Sequence, residues 1–333
     1  MRDAFAQAVI GHFSGPDTFF LTGDLGFMAL EKVRGHMAER FVNCGVAEQN
    51  MIGTAAGLAR EGFRVFAYSI APFCYARPYE QIRNDICFNR LPVILVGNGG
   101  GYAYGYMGPT HHALEDCAAL LALPEIRALV PAFDADLVPM LGRARDQGGP
   151  VYLRLGYEVR PENFAAPAYA PWRCLLAGEA GAMAALGPLA GLAVKALEAL
   201  PERERPSVWA VTELPLENLP EDFAAAVAAG GLAVVEEHVA QGGLGMALAL
   251  ALARAGSAPA AFVHRPALRY PSGRYGSQAF HRHECGLDEE GLRRAAAELR
   301  RLGSDSGQTR LSRPDVTVAE TEQGPSGARE ADR

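Results

Sequence analysis

The sequence predicts an α/β protein of two domains, each built on a mainly parallel sheet flanked by helices. Short apolar runs alternate with helical patterns, and this alternation is typical of βαβ units. A chain of 333 residues is long enough for two domains that each bury a core. A loop rich in Pro and Ala interrupts the alternation. We therefore expect a first domain over residues 1–160, a linker over 161–172 and a second domain over 173–302. Apolar residues thin out over 303–333, which predicts a disordered tail.

In the first domain, the apolar runs predict six strands, at Thr18–Thr22, Arg40–Cys44, Val65–Ser69, Pro92–Gly97, Ala128–Pro131 and Val151–Leu155. The patterns between them predict helices at Arg2–Phe13, Val46–Arg60, Pro78–Asn89, Ala113–Leu121 and Ala135–Gln147.

In the second domain, the same criteria predict strands at Ser207–Val211, Gly231–Val235 and Ala260–His264. Helices are predicted at Ala180–Leu200, Leu219–Ala229, Leu244–Ala255 and Asp288–Leu302.

Composition narrows the classes of function. The net charge of −7 and the lack of a basic run argue against a nucleic-acid surface. No apolar run approaches the roughly 18 residues that a membrane span needs. The first residues lead directly into an amphipathic segment, so we expect no secretory signal. Six scattered cysteines without a CxxC pair suit reduced thiols, which predicts a cytoplasmic protein.

The most informative segment reads GVAEQNMIGTAAGLA, from Gly45 to Ala59. It places Glu48 in the first turn of a helix, directly after the predicted strand Arg40–Cys44. Gly53 and Gly57 each weaken a helix by about 1 kcal/mol relative to alanine, which suggests close backbone packing. A Glu in a first turn also interacts favourably with the helix dipole, so its position alone leaves a purely local role open.

This segment resembles the pyrimidine-binding domain of the transketolase family of thiamine-diphosphate enzymes. The resemblance implies that Glu48 hydrogen-bonds the aminopyrimidine ring of the cofactor and so activates it. It extends from Met1 to about Leu302, like the back half of a transketolase. It is supported by TGDLG, YEQIRND, GGGYAYGYMGPTHHALED, VVEEHVAQGGLG and YGSQAFHRHECGLDEEGL, at Thr22–Gly26, Tyr79–Asp85, Gly99–Asp116, Val234–Gly245 and Tyr275–Leu292.

The other half of a cofactor site is missing from the sequence. Family members hold the diphosphate through a divalent metal, here expected to be Mg²⁺, bound by a GDG motif and a later Asn. This chain has Asp24 followed by Leu25, and Asn50 lies inside the Glu48 helix. It therefore lacks a metal–diphosphate cradle. The resemblance implies a separate subunit carrying GDG…N and an α2β2 assembly with the cofactor at the interface.

His111 and His112 follow a glycine-rich loop after the strand Pro92–Gly97. Ligands bind at this edge of open α/β sheets. The resemblance implies that His111 contacts the substrate carbonyl, and we expect His111 and His112 to serve oxygens on which charge develops. Met107 stands where transketolases commonly have an acidic residue that meets a sugar hydroxyl, so sugar-phosphate specificity is not carried over.

Phe73 and Tyr75 are the candidates for stacking on the pyrimidine ring, with Phe73 preferred. Core packing is the alternative for both. Arg77 and Arg83 are predicted to be structural or interface charges, because acidic residues lie close to each in sequence.

Arg154, at the end of a strand, is a candidate for binding a phosphate or carboxylate of the substrate. An ion pair with Glu158 or Asp146 is the alternative.

Two polar clusters in the second domain are predicted to be structural. His281, His283 and Cys285 form an H-x-H-x-C pattern, but a zinc site needs a fourth ligand and none is apparent. Glu236-Glu237-His238 is expected to pack against its own loops or a neighbouring subunit.

The residues and the resemblance together predict one subunit of an enzyme that transfers a two-carbon ketol unit between a ketose and an aldehyde. A 1-deoxyxylulose-5-phosphate-synthase-like enzyme and the beta subunit of a 2-oxoacid dehydrogenase share the fold and remain alternatives. A non-catalytic partner that kept the fold is a further alternative. The sequence names neither donor nor acceptor.

Overall fold

The computed structural model describes residues 1–26, 29–304 and 310–311. Two sheets organise the described part of the chain. The first contains β1 Thr18–Thr22, β2 Phe41–Asn43, β3 Arg64–Ile70, β4 Val93–Asn98, β5 Arg127–Leu129, β6 Val151–Leu155 and β10 Glu213–Leu214. The second contains β7 Trp172–Leu176, β8 Ala182–Leu186, β9 Ser207–Val211, β11 Leu232–Val235, β12 Ala261–Arg265 and β13 Arg310–Leu311.

The first sheet has the order β10-β5-β6-β4-β3-β1-β2 and the second has the order β13-β12-β11-β8-β9-β7. All neighbours are parallel except the pairs β10–β5 and β7–β9. The predicted α/β class with mainly parallel sheets is confirmed.

Helices connect the strands as βαβ units require. In the first half they are α1 Arg2–His12, α2 Glu31–Met37, α3 Glu48–Arg60, α4 Ala71–Tyr75, α5 Tyr79–Gln81, α6 Asp116–Leu121 and α7 Leu137–Gln147. In the second half they are α8 Leu189–Leu197, α9 Glu221–Gly230, α10 Leu244–Arg254, α11 Gln278–Glu284 and α12 Glu289–Ser304. No helix of the described residues is long and apolar enough to cross a membrane.

The helix predicted over Ala180–Leu200 is wrong. The alanine-rich run Ala182–Leu186 forms β8, a fully buried strand between β9 and β11. Burial on both faces of a parallel sheet outweighs the helix propensity of alanine. Gly187 has φ 55° and ends the strand, and α8 begins only after Pro188.

Other boundaries also differ. The helix predicted over Pro78–Asn89 divides into α5 and a π-helical segment, Ile82–Cys87. Trp172, expected in the linker, begins β7. Within the expected tail, α12 extends to Ser304, and Arg310–Leu311 pairs with β12. The remainder of that tail lies outside the described residues.

The two halves of the chain share buried apolar surface. One core cluster contains Leu95 of β4 together with Val234 of β11 and Leu248 of α10. Two further clusters lie under the other faces of the sheets. The loop after β4 is also bonded to the second half, through Tyr102 to Glu237 and through His112 to Tyr270.

Candidate active site

Glu48 is the first residue of α3, and its carboxylate is buried. The chain leaves β2, turns at Gly45 with φ 71°, and enters the helix at this residue. The side chain is 3% exposed. Ser69 Oγ at the end of β3 lies 3.4 Å from Oε1, and Arg77 Nη1 donates to Oε2 over 2.9 Å. A buried carboxylate thus lies at the carboxyl edge of the first sheet, where open α/β folds bind ligands.

Phe73 and Arg77 form the next layer of this site. Phe73 is partly buried in α4, which follows β3 directly. The guanidinium carbon of Arg77 lies 3.8 Å from the centre of the Phe73 ring. Arg77 was expected to be a structural or interface charge, and its acidic partner is Glu48, 29 residues away, rather than an acid near it in sequence. The four-residue spacing from Phe73 is the sequence signal for this contact.

His111 completes the group. Its ring meets Phe73 edge-on at 5.2 Å and Tyr104 at 5.7 Å between ring centres. Thr110 Oγ1 lies 2.9 Å from His111 Nδ1, and Asn98 Nδ2 donates to the Tyr104 hydroxyl over 2.8 Å. The structure thus brings the predicted residues Glu48, Phe73 and His111 into one connected series. Tyr104 belongs to this series as well. The sequence places it in the glycine-rich loop but gives no indication that it contacts His111.

His112 points away from this group. Its Nε2 donates to the Gly105 carbonyl and its Nδ1 accepts from the Tyr270 hydroxyl, both over 2.8 Å. The side chain is buried, and burial lowers the pKa of His112 to about 4. The expectation that His112 serves substrate oxygens is therefore corrected. One ring nitrogen is thus bonded within the glycine-rich loop, and the other links this loop to Tyr270 in the second half of the chain.

Tyr75 also lies apart from the group formed by Glu48, Phe73 and His111. It is 6% exposed and belongs to the apolar core cluster that contains Met51 and Ile82. Of the two aromatic candidates, Phe73 is the one that belongs to this group. Its ring contacts His111 and packs against the guanidinium of Arg77, which is bonded to Glu48. The alternative of core packing describes Tyr75.

Arg154 is buried between the two halves, where its guanidinium is bonded to groups of the protein. Its Nε donates to Asp116 Oδ2 over 2.8 Å, and its Nη2 donates to the carbonyls of Ala113 and Glu237 over 2.8 and 2.9 Å. The side chain is 5% exposed. The expectation of an anion-binding role is corrected, and the ion pair that forms is with Asp116 rather than with the two acids near it in sequence.

Glu237 is the centre of the contact between the halves. Its Oε1 accepts from the backbone N–H of Tyr102 over 2.6 Å, and its Oε2 accepts from Arg282 Nη2 over 2.6 Å. Gln278 Nε2 also donates to it. A Cβ at Gly101, where φ is 67°, would lie 2.6 Å from Oε1, so glycine permits this approach. The sequence predicted packing for this segment but not that Glu237 reaches the loop that carries His111.

Neighbouring polar residues are bonded to groups of the protein itself. Glu236 accepts from the N–H groups of Leu244 and Gly245 at the start of α10. His283 Nδ1 lies 2.7 Å from Asp288 Oδ2, whereas Cys285 accepts from the backbone N–H of Leu268.

Within the described ranges, one cluster has three groups close enough to hold a metal ion, namely Asp116, Cys117 and His238. All three are buried, and His238 Nε2 accepts from the backbone N–H of Ala118 over 3.3 Å. Asp116 is already paired with Arg154. The cluster is thus part of the contact between the halves.

The side chains of Glu48, Phe73 and His111 suit one half of a thiamine diphosphate. A buried carboxylate and an aromatic face match an aminopyrimidine ring. Asp24 and Asn50, by contrast, are both exposed, and Asp24 Oδ1 accepts from Asn43 Nδ2 over 3.0 Å.

Comparisons with known proteins find related sequences and folds. The signature of the transketolase pyrimidine-binding domain matches residues 1–158. The chain is 34% identical over 139 residues to one of the subunits of apulose-4-phosphate transketolase from Phocaeicola vulgatus, covering 42% of this chain and 45% of that protein. It is 34% identical over 276 residues to 1-deoxy-D-xylulose-5-phosphate synthase 2 of Geobacter sulfurreducens, covering 80% and 42%. The chain therefore spans less than half the length of these curated relatives.

Two solved structures resemble the whole fold. A split-gene transketolase, described as an inactive β4 tetramer, has a TM-score of 0.75 at 29% identity, covering 91% of this chain and 98% of that one. The transketolase of Leishmania mexicana has a TM-score of 0.73 at 20% identity, covering 91% and 46%.

The chain thus has the two-sheet α/β fold of transketolases. Residues 1–158 belong to the family of transketolase pyrimidine-binding domains. Together these matches relate the chain to transketolase-like proteins, among them one subunit of a transketolase and the product of a split gene.

Proposed function

We propose that this chain is the cofactor-ring-binding subunit of a thiamine-diphosphate-dependent enzyme that transfers a two-carbon ketol unit between a ketose and an aldehyde. The observation that carries the proposal is the buried carboxylate of Glu48, which Arg77 links to Phe73, whose ring contacts His111. When bound, the cofactor supplies the nucleophile and the electron sink of the reaction. Glu48 holds the ring and its proton, Phe73 packs on the ring, and His111 donates to a substrate oxygen.

The proposal includes a separate subunit that holds the diphosphate and Mg²⁺. Among the described residues, those near Glu48 provide the ring half of a site only. A structural relative from a split gene is described as inactive when it forms a β4 tetramer, and inactivity is what a subunit without its partner would show. We propose an α2β2 heterotetramer, and the six free cysteines suit a cytoplasmic location.

A second candidate is a carboligase of the 1-deoxyxylulose-5-phosphate-synthase type. The alignment with the Geobacter synthase covers 80% of this chain, whereas the alignment with the Phocaeicola transketolase covers 42%. The two reactions differ in the donor, because a synthase of this type loses CO₂ from a 2-oxoacid and a transketolase cleaves a ketose.

The decisive experiment reconstitutes this chain with the product of a reading frame that carries GDG and a downstream Asn, plus thiamine diphosphate and Mg²⁺. Ketose consumption with aldehyde release supports ketol transfer, and CO₂ release from pyruvate supports the synthase reaction. Turnover of sugars by this chain alone would contradict the proposed dependence on a partner. If neither reaction appears with the partner present, a non-catalytic role is favoured.

A further inference from the structure

Arg77 occupies both groups to which the proposed function assigns the cofactor ring. Its Nη1 donates to Glu48 Oε2 over 2.9 Å, and its guanidinium carbon lies 3.8 Å from the centre of the Phe73 ring. A planar guanidinium on an aromatic face and against a carboxylate resembles the aminopyrimidine in shape and hydrogen-bonding character. The ring and the guanidinium cannot both hold this Oε2 atom and pack on the same part of Phe73.

We infer that Arg77 is an internal placeholder that keeps the ring site closed in the free subunit and must swing outward when the cofactor enters. The inference rests on the proposed function, because it concerns the site assigned to the ring. It adds a competition between a residue of this chain and the cofactor, which makes ring binding weaker in the free subunit than the site alone would allow.

Exposure decides which partner moves. The Arg77 side chain is 44% exposed, whereas that of Glu48 is 3% exposed. Arg77 can therefore exchange its contacts for water at little cost, but Glu48 is fixed by burial at the start of α3. A buried carboxylate without a partner is unfavourable, and Arg77 therefore pairs with Glu48 until the cofactor ring binds.

This arrangement couples binding of the cofactor to association with the partner subunit. A subunit that offers only the ring half gains little from binding cofactor, since it must first give up the Arg77 contacts. The partner's contribution to the other half would supply the remaining binding free energy. Arg77 thus acts as a positioning residue for Glu48 in the free chain rather than as a catalytic residue.

The test measures binding of a neutral ring fragment, 4-amino-5-hydroxymethyl-2-methylpyrimidine, to the full chain by titration calorimetry. A neutral probe is used because a cationic thiamine would bind more tightly after any loss of positive charge. In Arg77→Met the placeholder is gone, and we expect binding roughly five- to tenfold tighter than in the unmodified chain. Arg83→Met is the matched control, since Arg83 is exposed on the adjoining π-helical segment, and we expect no change there.

Arg77→Lys gives a second readout if the methionine variant fails to fold. Lysine keeps the charge but loses the planar stacking on Phe73, so we expect binding tighter than in the unmodified chain and weaker than in Arg77→Met. Unchanged or weaker binding in the Arg77 variants overturns the inference. Absence of detectable binding in both the unmodified chain and Arg77→Met also overturns it, because opening the pair would not be what limits entry of the ring.

Glu48→Gln separates this inference from the proposed function. If Glu48→Gln binds the fragment as tightly as the unmodified chain, the assignment of the ring to Glu48 fails, and the placeholder role fails with it. If Glu48→Gln loses binding while Arg77→Met shows no gain, the proposed function stands and only the placeholder role is wrong.

Discussion

His111 and His112 are adjacent in sequence, yet their rings serve different parts of the structure. The His111 ring meets Phe73 at 5.2 Å beside Arg77, whereas the His112 ring is buried and lies 5.7 Å from Tyr270. The two residues should therefore respond differently to the same substitution.

We expect His111→Asn to lower kcat of the reconstituted enzyme by about 100-fold while leaving the free energy of unfolding unchanged. His112→Asn removes a ring whose two nitrogens are bonded, and it should cost about 1–3 kcal/mol of stability. Urea unfolding and steady-state kinetics on both variants check this. Equal loss of stability in the two variants would contradict the role of His112 in linking the glycine-rich loop to Tyr270.

The buried His112 predicts a dependence of stability on pH. Its pKa lies at about 4 in the folded chain, below the ordinary value of 6.5, because burial disfavours the charged form. Between these two values the unfolded chain binds more protons, so the stability contribution is present above pH 6.5 and is lost as pH falls toward 4. The loss amounts to about 3 kcal/mol. His281 lies 5.0 Å away, and burial also lowers its pKa, so it acts in the same direction.

Urea unfolding at several pH values between 7 and 4 measures this effect. His112→Gln should flatten the profile, while His12→Gln, a change at an exposed histidine, should leave it as it is. If the His112→Gln profile is as steep as that of the unmodified chain, groups other than His112 cause the loss of stability at low pH.

Glu48→Gln should lower the rate of the reconstituted enzyme at least about 100-fold, since the amide cannot take up or release the proton. The matched control is Glu61→Gln, at the exposed far end of the same helix. Deuterium exchange at the reactive carbon of the cofactor gives a direct readout. Full activity in Glu48→Gln would remove the proposed cofactor role.

Phe73→Leu should weaken cofactor binding by the reconstituted enzyme about fivefold, because an aromatic contact of about 1 kcal/mol is lost. Tyr75→Phe removes only a hydroxyl from a buried core residue, and we expect cofactor binding to stay unchanged. Titration of thiamine diphosphate against both variants measures the difference. The opposite ranking would move the ring to Tyr75.

Glu237→Gln should cost about 3 kcal/mol of unfolding free energy, because it leaves the buried Arg282 without its counter-charge. Glu290→Gln, which breaks a pair between exposed side chains on α12, should cost less than about 1 kcal/mol. Denaturant titration of the two variants checks the contrast. Similar values would mean that the contact around Glu237 contributes little to holding the halves together.

The sequence was most informative where one local pattern decides the structure. Thr18–Thr22 and Val151–Leu155 are strands with the predicted bounds, because short apolar runs bounded by turn residues leave few alternatives. Ala182–Leu186 was mistaken for helix, since alanine reports its local propensity and not the two strands that bury it.

The candidate site divides in the same way. Glu48 was identifiable because its motif and its place at a helix start belong to one short segment. The partners of Arg77 and Arg154 were not, because Glu48 and Asp116 lie 29 and 38 residues away and only the tertiary fold brings them together. Likewise, adjacency of His111 and His112 could not reveal which ring turns inward.

The pairing of β10 with β5 has a practical consequence for dissecting the protein. Glu213 and Leu214 come from the second half of the chain but pair antiparallel with Leu129 and Ala128 at the edge of the first sheet. A fragment cut after residue 158 would leave that edge open to aggregation or strand exchange. Chimeras and excised fragments should therefore retain the chain through Leu214, or replace the two-residue strand β10 with another segment that pairs with β5.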